Sequence, residues 1–274
     1  MASSTGNIQG VFVEGVIAAG KTELVRSLVA TINSSPHRRT GTATTVRAVA
    51  VYEPLERWER IGILKKFYAD PRGYAYKFQT YVYTTQIQTI QRAVAAVDPA
   101  ELSRTVFVFE RSPISDEIFM ELQRGTVEEM DMEMYEDWRR TFEPLIPINM
   151  SAASVIYLKP SLAVCMQRLA HRNRDGEVAP SDAVEAPSDA AEAPKKSGVT
   201  LDYQRRLERA HEALLQGRHA EEFPQLALRP PPYPRESILV VSEELADLNF
   251  RDPGPTQGTV ITELLKYLGI EPAQ

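Results

Sequence analysis

The chain has 274 residues, 43% hydrophobic and 25% charged, which is enough to bury one sizeable core. Its 31 basic and 37 acidic residues leave a formal net charge of −6, which argues against a broad basic face, so no nucleic-acid partner is expected. A single cysteine, Cys165, excludes an intrachain disulfide and is expected as a small buried hydrophobe. Residues Met1 to Gln9 lack the pattern of a signal peptide, and no apolar run reaches membrane-spanning length, so no membrane partner is expected. The expectation is a soluble intracellular protein, with the cytoplasm favoured and mitochondrion and nucleus left open.

In chain order, Ile8 to Glu14 reads as a short strand that enters a glycine-rich turn. Lys21 to Ile32 then carries Leu24, Leu28 and Ile32 on one helical face. Ser34 to Thr45 is polar and reads as a loop. Further strands are predicted at Val46 to Tyr52, Thr105 to Phe109, Ser154 to Leu158 and Ser237 to Val241. Helices are predicted at Tyr74 to Val97, Ser115 to Gln123, Met130 to Phe142, Leu162 to Arg172 and Leu201 to Leu215. Strands alternating with helices predict an α/β fold: a five-stranded parallel sheet flanked by helices on both faces, in one domain over 1–274. Val178 to Pro194 contains the tandem units APSDAVE and APSDAAE, rich in Ala, Pro and acids, and is expected as a disordered insert. Arg229 to Pro234 is expected as an extended connector.

Gly15-Val16-Ile17-Ala18-Ala19-Gly20-Lys21-Thr22 fits the phosphate-binding pattern G-x-x-x-x-G-K-[ST], after a predicted strand and at the start of a predicted helix. Glycines let the backbone approach phosphates closely, and successive N–H groups at the positive end of a helix attract them. Lys21 supplies a point charge for the β- and γ-phosphates, and the Thr22 hydroxyl suits Mg²⁺. Glu53 follows the second predicted strand. Ligands gather at that edge of an open sheet, where a carboxylate can take the proton of an attacking hydroxyl. Glu110 and Arg111 follow the third strand. Arg111 is placed to neutralise phosphate charge or orient Glu53, and Glu110 to hold the metal. Gln79 lies in a helix rich in aromatics, and its amide offers a donor and an acceptor side by side, as a nucleobase edge requires. Arg168, Arg172 and Arg174 precede the repeat, and the first two share a helix face, which suggests a lid over the transferring phosphoryl group from about 168 to 200.

Together these motifs resemble the deoxynucleoside kinase family, on EGVIAAGKTEL (Glu14 to Leu24), YEPLERW (Tyr52 to Trp58), FYADPRGYAYKFQTY (Phe67 to Tyr81), ERSPISDEIFM (Glu110 to Met120) and CMQRLAHRNRD (Cys165 to Asp175). The order and spacing match from about Gly10 to Leu268. The resemblance implies a P-loop kinase fold, usually a homodimer, that moves the ATP γ-phosphate with Mg²⁺ onto the 5′-hydroxyl of a deoxynucleoside in nucleotide salvage. It implies Glu53 as base with Arg111 beside it, Glu110 near the metal, Tyr68 on the sugar 3′-hydroxyl, and Gln79 on the base. It further implies Trp58 as the base-pocket wall, Arg168, Arg172 and Arg174 on the lid, and Phe250 in a loop over the donor adenine. Glu177 is the candidate lid glutamate. Gln86 stands where relatives preferring deoxycytidine or purines carry an arginine that pairs with an aspartate like Asp116. Val82 resembles pyrimidine-preferring members, so thymidine and deoxycytidine are favoured. The inserted repeat would suit a DNA-virus enzyme. The competing readings are another P-loop small-molecule kinase, such as a nucleoside monophosphate kinase, and a nucleotide-binding regulator without catalysis.

Overall fold

Apolar runs bounded by turn residues become strands here, and amphipathic runs become helices. The computed structural model describes residues 8–172, 198–228, 233–250 and 254–273. The repeat at 178–194, Arg174 and Glu177, and residues 229–232 of the connector lie outside them. Strand β1 is Gln9–Glu14 and helix α1 is Lys21–Ser34, which buries Leu24, Val25, Leu28 and Ile32. Each such aliphatic side chain contributes about 1.5–3 kcal/mol on burial. Strand β2, His37–Arg39, precedes β3, Thr45–Val51. Two short helices follow, α2 at Leu55–Arg60 and α3 at Ile63–Ala69, broken by Gly62 at φ 71°. Helix α4, Pro71–Ala95, starts where the Asp70 side chain accepts from the Gly73 N–H and Pro71 opens the first turn.

Next come β4 (Thr105–Glu110), α5 (Ser115–Glu121), α6 (Glu129–Phe142), β5 (Ser154–Leu158) and α7 (Leu162–Arg172). Helix α8, Leu201–Gln216, is capped by the Thr200 hydroxyl on the Tyr203 N–H and ends at Gly217 in the left-handed region. The described chain closes with α9 (Pro224–Leu228), β6 (Ile238–Val241), α10 (Glu243–Ala246), α11 (Pro255–Tyr267) and β7 (Ile270–Pro272).

The strands form one sheet in the order β6-β5-β1-β4-β3-β2-β7. The five predicted strands pair in parallel and make its body. Two short antiparallel strands, β2 and β7, extend the β3 edge, so the sheet has seven strands where five were expected. The segment His37–Arg39 has no apolar alternation. Its pairing rests on backbone hydrogen bonds and on an Arg38–Glu271 ion pair at 3.1 Å, which a local reading of Ser34 to Thr45 cannot show. All six residues of β4 are buried, as expected for a strand covered on both faces. Helix α1 packs on β3, β4 and α11, and α4 packs on β3, α5 and α6.

Strand β1 is central among the five parallel strands. The chain leaves it for β3 on one side, returns to β4, and then continues on the other side through β5 and β6. The C-terminal ends of β1, β3 and β4 therefore open onto one crevice. A second core, of Trp58, Leu64, Phe67, Ala75, Phe78, Val82, Met120, Val127, Met132 and Tyr135, stands beside the sheet core and walls that crevice. Cys165 is fully buried, and burial pushes its thiol up to about 11, which makes it a poor nucleophile. Among the described residues, no helix is long and apolar enough to cross a membrane.

Candidate active site

The loop after β1 has the strained backbone that a phosphate cradle needs. Gly15 has φ 146°, and a Cβ there would sit 2.6 Å from the Leu158 carbonyl oxygen, so only glycine fits. Ala18 is left-handed at φ 61° without being glycine, and Gly20, at φ 99°, starts α1 with no side-chain cap. The Lys21 ammonium curls back over the loop and donates to the Val16 carbonyl at 2.8 Å and the Gly15 carbonyl at 3.3 Å. Thr22, one residue on, donates its hydroxyl to Glu110 Oε1 at 2.6 Å, which brings the first turn of α1 against the end of β4.

Two helices grip this loop. The Arg168 guanidinium, from α7, donates to the Ala19 carbonyl at 3.0 Å and to the Asp247 and Leu248 carbonyls at 3.0 and 3.1 Å. The Gln204 amide, from α8, accepts from the Ile17 N–H at 3.2 Å and donates to the Ile17 carbonyl at 2.8 Å. The Ile17 N–H is thus engaged by a side chain, while the Ile17 and Ala18 side chains line the crevice. The helix-face reading put Arg168 and Arg172 together over the phosphates. Arg172 does line the crevice, whereas Arg168 is spent on backbone carbonyls.

Behind the loop lies a buried charged centre. Arg111, just past β4, is itself left-handed at φ 65°, with its N–H on the Val13 carbonyl at 3.0 Å. Its guanidinium lies over the Phe119 ring at 4.8 Å, with Nε 3.5 Å from Glu53 Oε1 and Nη1 3.9 Å from Glu14 Oε2. Glu14 also accepts from the Ser112 N–H at 2.8 Å and from the Ser115 hydroxyl. It thereby fixes the turn that carries Arg111. Burial lowers the Lys21 ammonium to about 7, helped by the Arg111 charge and opposed by Glu53 and Glu110. Burial raises Glu53 above the ordinary glutamate value, against the pull of Arg111. A carboxylate shifted upward holds a proton more readily and is the better base.

The crevice that these charges help to line has a cavity volume of about 80 Å³ and opens to solvent. Trp58 stands on one wall, its indole N–H on the Thr85 hydroxyl at 2.9 Å and its ring edge-on to Phe78 at 5.8 Å. Phe67 stacks on Phe78 at 5.0 Å, and Leu64 and Val82 complete the apolar surface. Gln79 reaches into this slot, 1% exposed, and its Nε2 has no hydrogen-bond partner among the described residues. Tyr68 also lines the crevice. So Glu53, Trp58, Tyr68, Gln79, Val82, Glu110, Arg111, Lys21 and Arg172 come together from segments far apart in sequence.

Besides Arg168, three expected residues outside the phosphate loop do not line this crevice. Gln86 lines a smaller adjoining pocket with Thr89, Ile90 and Pro113. Asp116 is buried with Oδ2 on the Tyr135 hydroxyl at 2.5 Å, and burial holds its carboxyl well above the usual range. Phe250 is buried beside α1, where its carbonyl accepts from the Ser27 hydroxyl at 2.9 Å. Glu14, Gln204 and Tyr203 belong to the neighbourhood without having been singled out. Tyr203 lines the crevice from the first turn of α8, and its hydroxyl has no partner among the described residues. Only Glu14 carried a local signal, as an acid ending an apolar strand.

An apolar slot with one free amide, joined to a carboxylate, a guanidinium and a phosphate loop, suits transfer of a phosphoryl group to a flat, neutral acceptor. Comparison with known proteins agrees. The family model for deoxynucleoside kinase matches residues 11–183. The chain is 26% identical over 216 residues to a Fowlpox virus (strain NVSL) protein named "Probable deoxycytidine kinase", covering 78% of this chain and 74% of that one. It is 25% identical over 229 residues to deoxycytidine kinase 2 of Gallus gallus, covering 76% and 74%. It is 26% identical over 206 residues to the thymidine kinase of Ictalurid herpesvirus 1 (strain Auburn), covering 74% and 72%. The match takes in the phosphate loop, the Glu53 and Arg111 motifs and the slot, and the chain belongs to the deoxynucleoside kinase family, with ATP-dependent deoxynucleoside kinase activity.

Proposed function

We propose that the protein transfers the γ-phosphoryl group of ATP to the 5′-hydroxyl of a pyrimidine deoxynucleoside, thymidine or deoxycytidine, with Mg²⁺. The observation that carries the pyrimidine preference is the slot itself. Gln79 is the polar group among its apolar walls, Val82 lines it one turn further along α4, and the Asp116 carboxylate is turned to Tyr135. A single primary amide matches the paired donor and acceptor of a nucleobase edge, and it is Val82 and Gln86 that resemble the pyrimidine-preferring members of the family.

In this reading Glu53 takes the 5′-hydroxyl proton as the oxygen attacks, and Arg111 holds Glu53 in place and balances charge that develops beside it. Tyr68 orients the sugar through its 3′-hydroxyl, and Trp58 walls the base. Lys21 draws the β- and γ-phosphates onto the loop amides, joined by Arg172 and, from outside the described residues, by Arg174; Glu177 there is the sugar-side candidate. Thr22 and Glu110 would hold the metal. Their hard oxygen donors, 2.6 Å apart, suit Mg²⁺, which takes one or two protein oxygens with phosphates and water for the rest. Among the described residues no cluster of three or more acidic, His or Cys side chains offers a full protein cage, in keeping with that mode. Bound Mg²⁺ would neutralise charge across the β- and γ-phosphates. A homodimer, which the family resemblance implies, is part of the proposal.

The test is a phosphorylation panel of the four natural deoxynucleosides with ATP and Mg²⁺. Thymidine and deoxycytidine should give the higher kcat/KM. A higher kcat/KM for deoxyguanosine or deoxyadenosine than for both pyrimidines overturns the preference.

A further inference from the structure

We infer that Gln204 is a positioning residue for catalysis, which holds the phosphate loop in its ATP-ready shape through the Ile17 peptide groups. The residue is fully buried, and its amide exchanges two hydrogen bonds with one loop residue, at 3.2 and 2.8 Å, 187 residues away in sequence. This arrangement copies a strand pair: one N–H and one C=O of the loop are satisfied by one C=O and one N–H of a side chain. Ile17 lies between the two strained residues Gly15 and Ala18, so the clamp acts where the loop turns most sharply. A loop that binds phosphates through its own N–H groups gains most when those groups are aimed before the ligand arrives. The other half of the grip, Arg168 on the Ala19 carbonyl, holds the loop two residues further on. Gln204 is not itself among the residues that line the crevice, so it acts through Ile17.

The length of the side chain is part of the argument. Glutamine spans the gap to both Ile17 groups at normal distances. Asparagine, one methylene shorter, would have to give up one bond or both. Leucine has similar bulk and no polar atom, and it leaves a buried N–H and C=O without partners. The proposal rests on the reading of this loop as the ATP phosphate site.

The test uses the full-length protein and the variants Gln204→Leu, Gln204→Asn, Gln204→Glu and Lys21→Ala. Deoxynucleoside binding is followed without ATP by the fluorescence of Trp58 in the slot wall, and ATP by its KM. For Gln204→Leu the ATP KM should rise about tenfold or more and kcat should fall, while nucleoside affinity stays within about threefold. Gln204→Glu keeps an acceptor for the Ile17 N–H and should fall between Gln204→Leu and the parent. A folded Gln204→Leu with an ATP KM within about twofold of the parent overturns the inference. So does an equal weakening of ATP and nucleoside, which would mark a general structural role. If Gln204→Leu does not fold, Gln204→Asn is judged by the same criteria. An unchanged ATP KM in Lys21→Ala would instead remove the reading of the loop on which the inference rests.

Discussion

Replacing Glu53 with glutamine tests the proposed chemistry most directly. The substitution keeps size and one acceptor oxygen and removes the basicity. Two costs follow, and the structure separates them. In catalysis, loss of general-base assistance lowers kcat by about two to four powers of ten, or about 2.7–5.4 kcal/mol of barrier. In folding, Arg111 loses an ion-pair partner 3.5 Å away but keeps Glu14 at 3.9 Å, so the full penalty for an unpaired buried charge is not incurred. The variant should therefore fold, with ATP affinity close to the parent's, because Lys21 and the loop hold the phosphates without help from Glu53. The pH dependence gives an independent check. Burial raises the Glu53 carboxyl above its ordinary 4.5, and the base must be ionised to act. Parent kcat should fall as pH drops through that raised value, so the acid limb should lie above pH 4.5, and Glu53→Gln should lack it. Single-turnover measurements report the chemical step. Turnover of folded Glu53→Gln within about threefold of the parent, with chemistry rate-limiting, would rule Glu53 out as the base.

Two further outcomes follow from the loop. Gly15→Ala places a Cβ 2.6 Å from the Leu158 carbonyl oxygen at φ 146°, and should cost about 2 kcal/mol or more, seen as a melting temperature lower by roughly 4 °C or more together with a raised ATP KM; an unchanged melting temperature refutes it. Lys21, lowered to about 7 chiefly by burial, should gain charge beside a triphosphate, so ATP binding near neutral pH should take up a fraction of a proton. Calorimetry in buffers of different ionisation enthalpy measures this uptake, which should vanish in Lys21→Met; no uptake in the parent refutes the shift.

The parts of this fold that local pattern specifies were legible in the sequence. Runs such as VFV in β1 and VFVF in β4 are apolar without interruption, β-branched and aromatic and too short for a helix, which is the pattern of a strand covered on both faces. Glu53, Glu110 and Arg111 were legible because a charge immediately after such a strand falls at the ligand edge. Helix α11 was not among the predicted helices although it carried a usable signal, with Val260, Ile261, Leu264 and Leu265 at helical spacing, all buried. Strands β2 and β7 carried none, because His37 pairs with Pro272 across the length of the chain.

The site divides in the same way. Residues that meet the ligand through a motif have a fixed spacing, as from Gly15 to Thr22, and can be found. Residues that act through another residue have no spacing to find. Arg168 looks from its helix position like a lid arginine beside Arg172, yet four-residue spacing says only that two side chains leave the helix together, and Arg168 meets the Asp247 and Leu248 carbonyls first. Asp116 is similar. The family resemblance assigns it to the base pocket, and the Tyr135 hydroxyl on α6 donates to it instead. Gln204 is the extreme case, an unremarked polar residue in an amphipathic helix whose partner lies at the other end of the chain. What decides each of the three is a hydrogen bond between segments that the fold alone brings together, and a buried polar group accepts whichever partner the fold supplies.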